Sequence, residues 1–408
     1  MKILMVNKFL YYKCGAESYA LKIGEELEKN GHEVQYFGMD SDKNIKKNNL
    51  NLYTSEMDFH SKSMKRLKYP FKIIYSFEAK KKIKKIIKDF KPDIIHLNNI
   101  NFQLTPSIIE QAYKMKVPIV QTVHDYQMIC PNHLLYNKNG ICEKCIKGSK
   151  WNCTKYNCIH NSKVKSILGS VEAILYTKII NTYKKISKFI CPSYFMESKL
   201  LENKNYNEKT IVIHNFIELR ELNNTIKENY VLFFGRLSEE KGLNTFIEVC
   251  KKLPEIKFKV AGTGPLEEKL KDIDNIEYVG FKTGKELEDL ISKARFSVYP
   301  SIWYENCPLS ILESESLGTP VITANYGGMK ELVENNITGI LVDNINEHNL
   351  QKTIKELYFN NELLSKMSMN CIKKRKNMIS LQEYVKKILE IYNDVIKDYE
   401  NENSNDRT

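Results

Sequence analysis

The chain has 408 residues, 42% of them apolar and 27% charged, with a formal net charge of +12 at pH 7. That composition excludes a disordered or fibrous polypeptide, and the length calls for two or three domains, each with its own core. No run of 18 or more uncharged apolar residues occurs, so no transmembrane helix is expected, and the apolar part of MKILMVNKFLYY is too short for a secretory signal. The expected location is therefore cytoplasmic, where ten cysteines serve as thiols or metal ligands rather than disulfides.

Residues 2–6 read as a buried strand, followed by a loop to Gly15, a helix over 16–29 carrying Tyr19, Leu21, Ile23 and Leu27, and a second strand at 33–37. Between Ser61 and Lys91 twelve Lys or Arg stand against only Glu78 and Asp89, while Ile83, Ile86, Ile87 and Phe90 recur at helical spacing. The lysines thus form the outer face of an amphipathic helix. Such a face is ordinarily solvated, and the stretch from Lys62 to Lys91 also makes an anionic membrane a candidate partner. Runs at 93–97 and 117–123 read as strands ending in polar residues, as strands leading into a binding crevice do, with a helix near 107–114 between them. The regular pattern lapses from Asp125 to about Ser162. A long helix over 164–184, a strand at 189–192, a short apolar run at 211–213 and a linker-like stretch at 218–229 follow.

The α/β pattern then restarts. Strands are expected at 230–234, 257–261, 277–279, 296–300, 320–323 and 339–342. Helices are expected at 243–251, 267–271, 287–291, from Pro308 to the stop at Gly318, at 347–358 and at 363–374. An amphipathic helix at 381–396 closes the pattern, and the tail at 401–408 is expected to be disordered.

The most informative stretch is YPSIWYENCPLSILESESLGTPVITANYGG, Tyr299 to Gly328. It sets Glu305 in a loop just before a helix start and Glu313 inside that helix, a Glu-x7-Glu spacing. Free N–H groups at the helix start favour a phosphate, and each carboxylate can accept two hydroxyl hydrogen bonds, as from a sugar or a ribose. By itself such a spacing also fits a solvated helix start. In FFGRLSEEKG, Arg236 can fork onto phosphate oxygens and Lys241 acts as a point charge; AGTGP, 261–265, is a glycine turn after a strand. Asp40-Ser41-Asp42 mimics a metal-binding Asp-x-Asp but follows the second strand of the first domain, away from these motifs. In ICPNHLLYNKNGICEKCIKGSKWNCTKYNCIH, Cys142-x2-Cys145 has zinc-knuckle spacing with Cys153 and Cys158 beyond it. A structural zinc on these four is expected, Cys130 and His160 being further candidates and reduced buried thiols the alternative.

Taken in order, CGAESYALKIGEEL, PDIIHLNN, VHDY, FGRLSEEKG, AGTGPLEEKL, the Glu-x7-Glu segment and LGTPVI resemble the large retaining glycosyltransferase family called family 4, and the resemblance spans nearly the whole chain. It implies an α/β GT-B fold: two Rossmann-like domains facing each other across a cleft. The first, 1–215 with the Cys-rich insertion at about 130–160, would bind the acceptor. The second, 216–376, would bind the nucleotide sugar, and the helix at 377–400 would pack back on the first. By the resemblance, Arg236 and Lys241 hold the leaving diphosphate, Glu305 grips donor-sugar hydroxyls, and Glu313 binds the ribose. The amides around Cys307 and Leu309 face phosphate, Gly15 lets the backbone approach it, and His124 contacts the transferring sugar. Two departures, Cys14 before Gly15 where a glycine is usual and Asn306-Cys307 after the first glutamate, alter the donor-sugar pocket.

The implied reaction moves a sugar from a nucleoside diphosphate to a glycan or lipid-linked acceptor in surface polysaccharide synthesis, with retention of configuration. The leaving phosphate helps deprotonate the acceptor, no metal is required, and the enzyme works in the cytoplasm, peripherally on the inner face of the membrane. Nucleic acid is not an expected partner. Two rival readings are a nucleotide-sugar epimerase, which would turn over donor without acceptor, and a zinc-containing nucleic-acid-binding protein, suggested by charge and cysteines.

Overall fold

The structure is a computed structural model that describes residues 1–57, 69–203, 206–218 and 226–405. It divides into two compact units, residues 1–214 with 381–408, and residues 215–380.

The first unit runs β1 (Lys2–Val6), α1 (Gly15–Lys29), β2 (Glu33–Phe37), α2 (Tyr69–Ile74), α3 (Phe77–Phe90), β3 (Ile94–Leu97), α4 (Ser107–Lys114) and β4 (Ile119–Thr122). A hairpin of β5 (Tyr136–Asn137) and β6 (Gly140–Ile141), then α5 (Asn152–Lys155) and α6 (Lys163–Ile174), separate these from β7 (Lys188–Cys191), α7 (Tyr194–Leu201) and β8 (Thr210–Val212). The six long-range strands form one parallel sheet in the order β2-β1-β3-β4-β7-β8. Helices cover both faces of such a sheet, so its central strands are buried throughout rather than alternating: Ile3 to Val6 and Ile94 to Leu97 are buried at every position.

The second unit repeats the scheme with β9 (Val231–Phe234), α8 (Leu243–Lys251), β10 (Phe258–Ala261), β11 (Ile276–Gly280), α9 (Gly284–Lys293), β12 (Phe296–Tyr299), α10 (Leu309–Ser316), β13 (Val321–Ala324), α11 (Met329–Leu332), β14 (Gly339–Val342), α12 (Glu347–Phe359) and α13 (Asn361–Arg375). Its sheet is also parallel, in the order β11-β10-β9-β12-β13-β14. Phe233, Phe246, Phe258 and Phe296 are fully buried in its core.

The last helix, α14 (Leu381–Asn405), belongs to the first unit and is tied to it by buried hydroxyls. Tyr19 OH lies 2.8 Å from Tyr384 OH and 2.9 Å from Thr122 Oγ1. His96 meets Tyr392 OH through Nδ1 at 2.5 Å and Thr122 Oγ1 through Nε2 at 2.8 Å. This chain of polar groups joins α1, β3, β4 and α14 where an apolar contact would leave a ring nitrogen unsatisfied.

Several expected elements differ in detail. The single helix over 164–184 breaks: α6 ends at Ile174, a π turn spans Leu175–Ile179, Asn181 takes a left-handed φ of 54°, and a 3-10 turn follows at Thr182–Lys185. Thr177 Oγ1 donates back to Ala173 O at 2.6 Å, and Asn is among the few residues that tolerate the left-handed turn. The helix at 267–271 is only a 3-10 turn, Glu267–Leu270, too short to offset helix nucleation. Pro308 is the residue before α10, with extended ψ of 121°, rather than its first helical residue. The tail expected to be disordered is helical to Asn405, since extending a formed helix carries no nucleation cost; 406–408 lie outside the described residues, as do 58–68 of the basic segment and 219–225 of the linker-like stretch.

Candidate active site

In the second unit strand order reverses between β9 and β12: β10 and β11 continue to one side, β13 and β14 to the other. Loops leaving the carboxyl ends of such a pair diverge and open a crevice. The loop after β9 carries Arg236, which is exposed and makes no side-chain hydrogen bond among the described residues. Leu237, Gly242 and their neighbours bring this loop against those after β10 and β12. Leu237 N donates to Thr263 O at 2.9 Å, and Ile302 N to Glu240 O at 3.0 Å. Two glycines permit the approach. A Cβ on Gly262, where φ is 132°, would sit 1.8 Å from Gly235 O, and one on Gly242, φ 76°, would sit 1.9 Å from Pro300 O. The glycine turn in AGTGP is therefore a packing device for the phosphate-side loop as well as a bend.

Glu305 is the centre of the site. It is 6% exposed, and its Oε1 accepts four donors: Lys241 Nζ at 2.5 Å, Trp303 Nε1 at 2.5 Å, Ser301 Oγ at 2.9 Å and Tyr299 OH at 3.2 Å. Lys241 also donates to Tyr299 OH at 2.7 Å and lies 5.3 Å and 5.5 Å from the ring centroids of Tyr299 and Trp303. Burial alone would lower the Lys241 pKa, but the Glu305 carboxylate and the Tyr299 hydroxyl outweigh it and hold the ammonium above its ordinary range. Sequence reasoning treated Lys241 and Glu305 as separate contacts to two parts of a ligand; the fold makes them one buried ion pair. All the donors converge on one oxygen, so among the described residues Oε2 is left to accept from a ligand.

Behind this carboxylate the glycine turn at the end of the stretch closes in: Gly328 N donates to Glu305 O at 2.7 Å, and Tyr326 OH to Ser301 O at 2.6 Å. Ahead of it α10 begins. With Pro308 before it, no side chain caps the first amides of that helix, which leaves them suited to an anion. Asn306 is half-buried in the turn, while the Cys307 thiol is buried and accepts from Asn215 N at 3.4 Å. Glu313 is half-buried on α10. Glu315, two residues on and so on another face of the helix, is fully buried and accepts from Thr338 Oγ1 at 2.5 Å and Lys374 Nζ at 2.8 Å, anchoring α10 to α13. The same helix thus carries one accessible and one structural carboxylate.

In the first unit the corresponding loops follow β1, β3 and β4. Gly15 is exposed and opens α1, where Cys14 N donates to Glu17 Oε2 at 3.1 Å in a capping box. Glu17 of the AES motif is therefore a helix cap. His124 is half-buried, its Nε2 lies 2.9 Å from Asn98 Oδ1, and burial pushes its pKa down to about 3, so the ring is neutral.

A polar cluster that sequence reasoning missed lies beside His124. Lys8 Nζ donates to Asn101 Oδ1 at 2.8 Å; Asn101 Nδ2 donates to Asp125 Oδ2 at 3.0 Å and lies 3.4 Å from His133 Nδ1. Asp125 Oδ1 accepts from Gln127 N at 2.9 Å. Its members come from four separated positions, and only their placement after β1, β3 and β4, which no local pattern encodes, joins them. Glu172 of α6 is buried near Asp125, and burial, with the Asp125 charge adding to it, pushes its carboxyl up to about 8.

Of the expected metal ligands, Cys153 and Cys158 hydrogen-bond through their thiols, and Cys130 and Cys145 lie near them. Among the described residues no three His, Cys, Asp or Glu side chains are arranged to hold a metal ion, and all ten cysteines are free. Cys130, Cys145 and Cys153 are buried, whereas Cys142 and Cys158 are partly exposed. Cys142 follows the β5–β6 hairpin, its N–H committed to Leu135 O at 2.8 Å. Burial pushes the Cys130 thiol up to about 11 and that of Cys145 to about 12, with the neighbouring Cys130 adding to the shift at Cys145. His160 has left-handed φ of 51° at the far end of the segment. Asp40 and Asp42 are exposed on the loop after β2.

Comparison with known proteins defines the class. The model described as Glycosyltransferase Family 4 matches residues 14–221, about half of the chain, and the one described as Glycosyl transferases group 1 matches residues 216–378. The chain belongs to this family of glycosyltransferases, and its fold is GT-B. It is 27% identical, over 81% of its length and 87% of the relative's, to an uncharacterized 42.6 kDa protein in the cps region of Klebsiella pneumoniae. It is 31% identical over 127 residues, 27% of this chain and 31% of the relative, to the amylovoran biosynthesis glycosyltransferase AmsK of Erwinia amylovora. Among solved structures, Anabaena Alr3699/HepE in complex with UDP superposes with a TM-score of 0.68 at 16% identity, covering 97% of this chain and 100% of that one. Sucrose-phosphate synthase from Thermosynechococcus elongatus superposes with a TM-score of 0.71 at 15% identity, covering 97% and 99%.

Two stability measurements check this geometry. Glu305→Ala orphans the Lys241 ammonium and should destabilise the second unit by about 3 kcal/mol in urea unfolding; adding Lys241→Met should recover part of that loss, and a purely additive double variant would contradict the ion pair. Glu172 binds a proton more tightly folded than unfolded, so its contribution is full below about pH 4 and is lost as pH rises towards about 8. Glu172→Gln should therefore flatten the fall in stability between pH 5 and pH 8, by roughly 2 to 4 kcal/mol in all; an unchanged slope would show that the carboxyl is ionised throughout.

Proposed function

We propose that this glycosyltransferase moves a hexosyl group from a nucleoside diphosphate sugar to a glycan or lipid-linked acceptor in surface polysaccharide synthesis, with retention of configuration and without a metal. The observation that carries the reading is the convergence of Arg236, the Lys241–Glu305 pair and the uncapped start of α10 at the switch point of the second sheet. Arg236 and the third N–H of Lys241 hold the diphosphate, with amides near Cys307 and Leu309 completing its shell. Glu305 Oε2 accepts from the donor sugar beside Asn306, and Glu313 accepts from the ribose. Two cations and fixed dipoles in a dry site stabilise the departing diphosphate, the task a divalent ion performs elsewhere. The HepE complexes with UDP and with UDP-glucose support a nucleotide-sugar donor, and the relatives named for amylovoran and colanic acid biosynthesis support a polysaccharide role.

In the first unit Gly15 lets backbone approach the phosphate and His124 contacts the transferring sugar. Asp125, the carboxylate next to His124, accepts from Asn101 Nδ2 and Gln127 N, and the retaining reading rests on the family resemblance. The leaving phosphate then takes the acceptor proton. A structural zinc on the cysteine segment would have to draw Cys142, Cys145, Cys153 and Cys158 together, and elemental analysis of the purified chain decides that point.

The tests follow. Glu313→Ala should weaken UDP binding about tenfold, a loss of about 1.4 kcal/mol, whereas Glu305→Gln, which still accepts from Lys241, should leave UDP affinity within about twofold and cut transfer by about a hundredfold. Equal loss of UDP affinity in both variants contradicts the division of roles. Wild-type turnover should continue in excess chelator with the donor's anomeric configuration kept in the product; rescue by added magnesium or manganese alone would overturn metal independence.

We also propose that the first unit rests on anionic lipid at the inner face of the membrane. No described helix is long and apolar enough to cross one, but Lys81, Lys84, Lys85 and Lys88 are exposed on α3, and Phe71 and Phe77 are each 77% exposed beside it. Cosedimentation with phosphatidylglycerol vesicles should exceed that with phosphatidylcholine and fall in a Lys84→Glu/Lys88→Glu variant, at about 1 kcal/mol per cation. Equal recovery with both lipids would remove the membrane from the reading.

A further inference from the structure

His124 is held by groups whose hydrogen-bonding capacity is one-sided. Asn98 follows β3, is 2% exposed, and has its backbone anchored by Asn98 N donating to Val6 O at 2.8 Å. The two ends of its amide look almost alike in shape, so chemistry has to decide which faces His124. One end lies 3.1 Å from Met5 Sδ. A thioether accepts but cannot donate, so that end is Nδ2, the donor. The end 2.9 Å from His124 Nε2 is therefore Oδ1, which can only accept. His124 must place a proton on Nε2 to satisfy it.

Its surroundings favour the neutral ring, since loss of water around it pushes its pKa down. A neutral imidazole protonated at Nε2 carries its lone pair at Nδ1. The ring plane is fixed as well: Tyr19 meets it edge-on, with centroids 4.8 Å apart and planes at 76°. Tyr19 in turn is pinned through its hydroxyl to Thr122 and Tyr384. The order Met5 to Asn98 to His124 is thus a relay of orientation, with no proton moved along it.

We propose that Asn98 is a positioning residue that locks His124 in the Nε2–H tautomer, so that His124 offers Nδ1 to the substrate as a hydrogen-bond acceptor for a sugar hydroxyl and takes no part as an acid or a base. This rests on the reading that His124 touches the transferring sugar, and deepens it by fixing which atom does so and in which protonation state. A hydroxyl donating to Nδ1 points its hydrogen at the ring and its oxygen lone pairs away from it, which selects one hydroxyl rotamer of the bound sugar.

The experiment uses the full chain labelled with 15N-histidine. The chain has eight histidines, and the His124 signals are those missing from His124→Gln. The expected wild-type pattern is Nε2 protonated and Nδ1 bare, unchanged from pH 6 to pH 8. An Nδ1-protonated pattern would overturn the proposal whatever the activity. In Asn98→Asp a carboxylate replaces the amide oxygen and stabilises the imidazolium, so the His124 pKa rises and Nδ1 becomes protonated at low pH. Its kcat should then fall about tenfold per pH unit below that pKa while wild type stays flat. If His124 titrates in Asn98→Asp and the rate does not follow, the acceptor role is refuted. Asn98→Ala serves as a second variant should the aspartate perturb folding: it should lower kcat and mix the two tautomers, with UDP affinity unchanged. A single Nε2–H tautomer in that variant would show that Asn98 does not set it. His124→Gln tests the underlying reading separately, since full transfer activity there would remove His124 from the sugar while leaving the tautomer result standing.

Discussion

The second unit depends on one carboxylate oxygen. Glu305 Oε1 draws an indole N–H from Trp303, hydroxyls from Tyr299 at the end of β12 and Ser301 in the loop after it, and the Lys241 ammonium. Buried charges are tolerated only when paired and hydrogen-bonded, and here the pairing does a second thing: it fixes the loop between β12 and α10 against the loop between β9 and α8. The arrangement makes Glu305 half structural and half available. Among the described residues one oxygen holds the walls together and the other accepts no hydrogen bond.

That pair is placed by backbone geometry. Parallel strands send all their carboxyl ends to one edge, and the reversal of order between β9 and β12 separates the loops that leave them. Gly262 and Gly242 let backbones approach to distances that a Cβ would forbid. The loops carrying FGRLSEEKG, AGTGP and Glu-x7-Glu, far apart in the chain, are thereby packed against one another at one edge of the sheet.

The first unit solves a related problem with neutral groups. Tyr19, His96, Thr122, Tyr384 and Tyr392 form a buried network in which hydroxyls and imidazole nitrogens satisfy one another. Its far end supports His124 through the Tyr19 ring. The cysteine segment follows β4, and its thiols meet polar partners: Cys130 Sγ donates to Asn132 Oδ1 at 2.8 Å.

Local pattern by itself determined much of this protein. Apolar runs such as VLFF and KILMV become strands because both sheet faces are covered, and helical spacing at Ile83, Ile86, Ile87 and Phe90 sets the buried side of α3. The candidate site of the second unit could be proposed from sequence because its residues fall within short, ordered motifs. The break in the long helix near Asn181 and the helical tail were not, since weak propensities there compete within about 1 kcal/mol per residue. Only the tertiary structure decided that Lys241 and Glu305 are partners, that Glu315 faces inward while Glu313 does not, and that Lys8, Asn101, Asp125 and His133 meet. The physical reason is that a side chain's long-range partner is chosen by sheet order and loop closure over tens of residues. Hydrophobic period specifies which face is buried, not which polar atom waits on the other side.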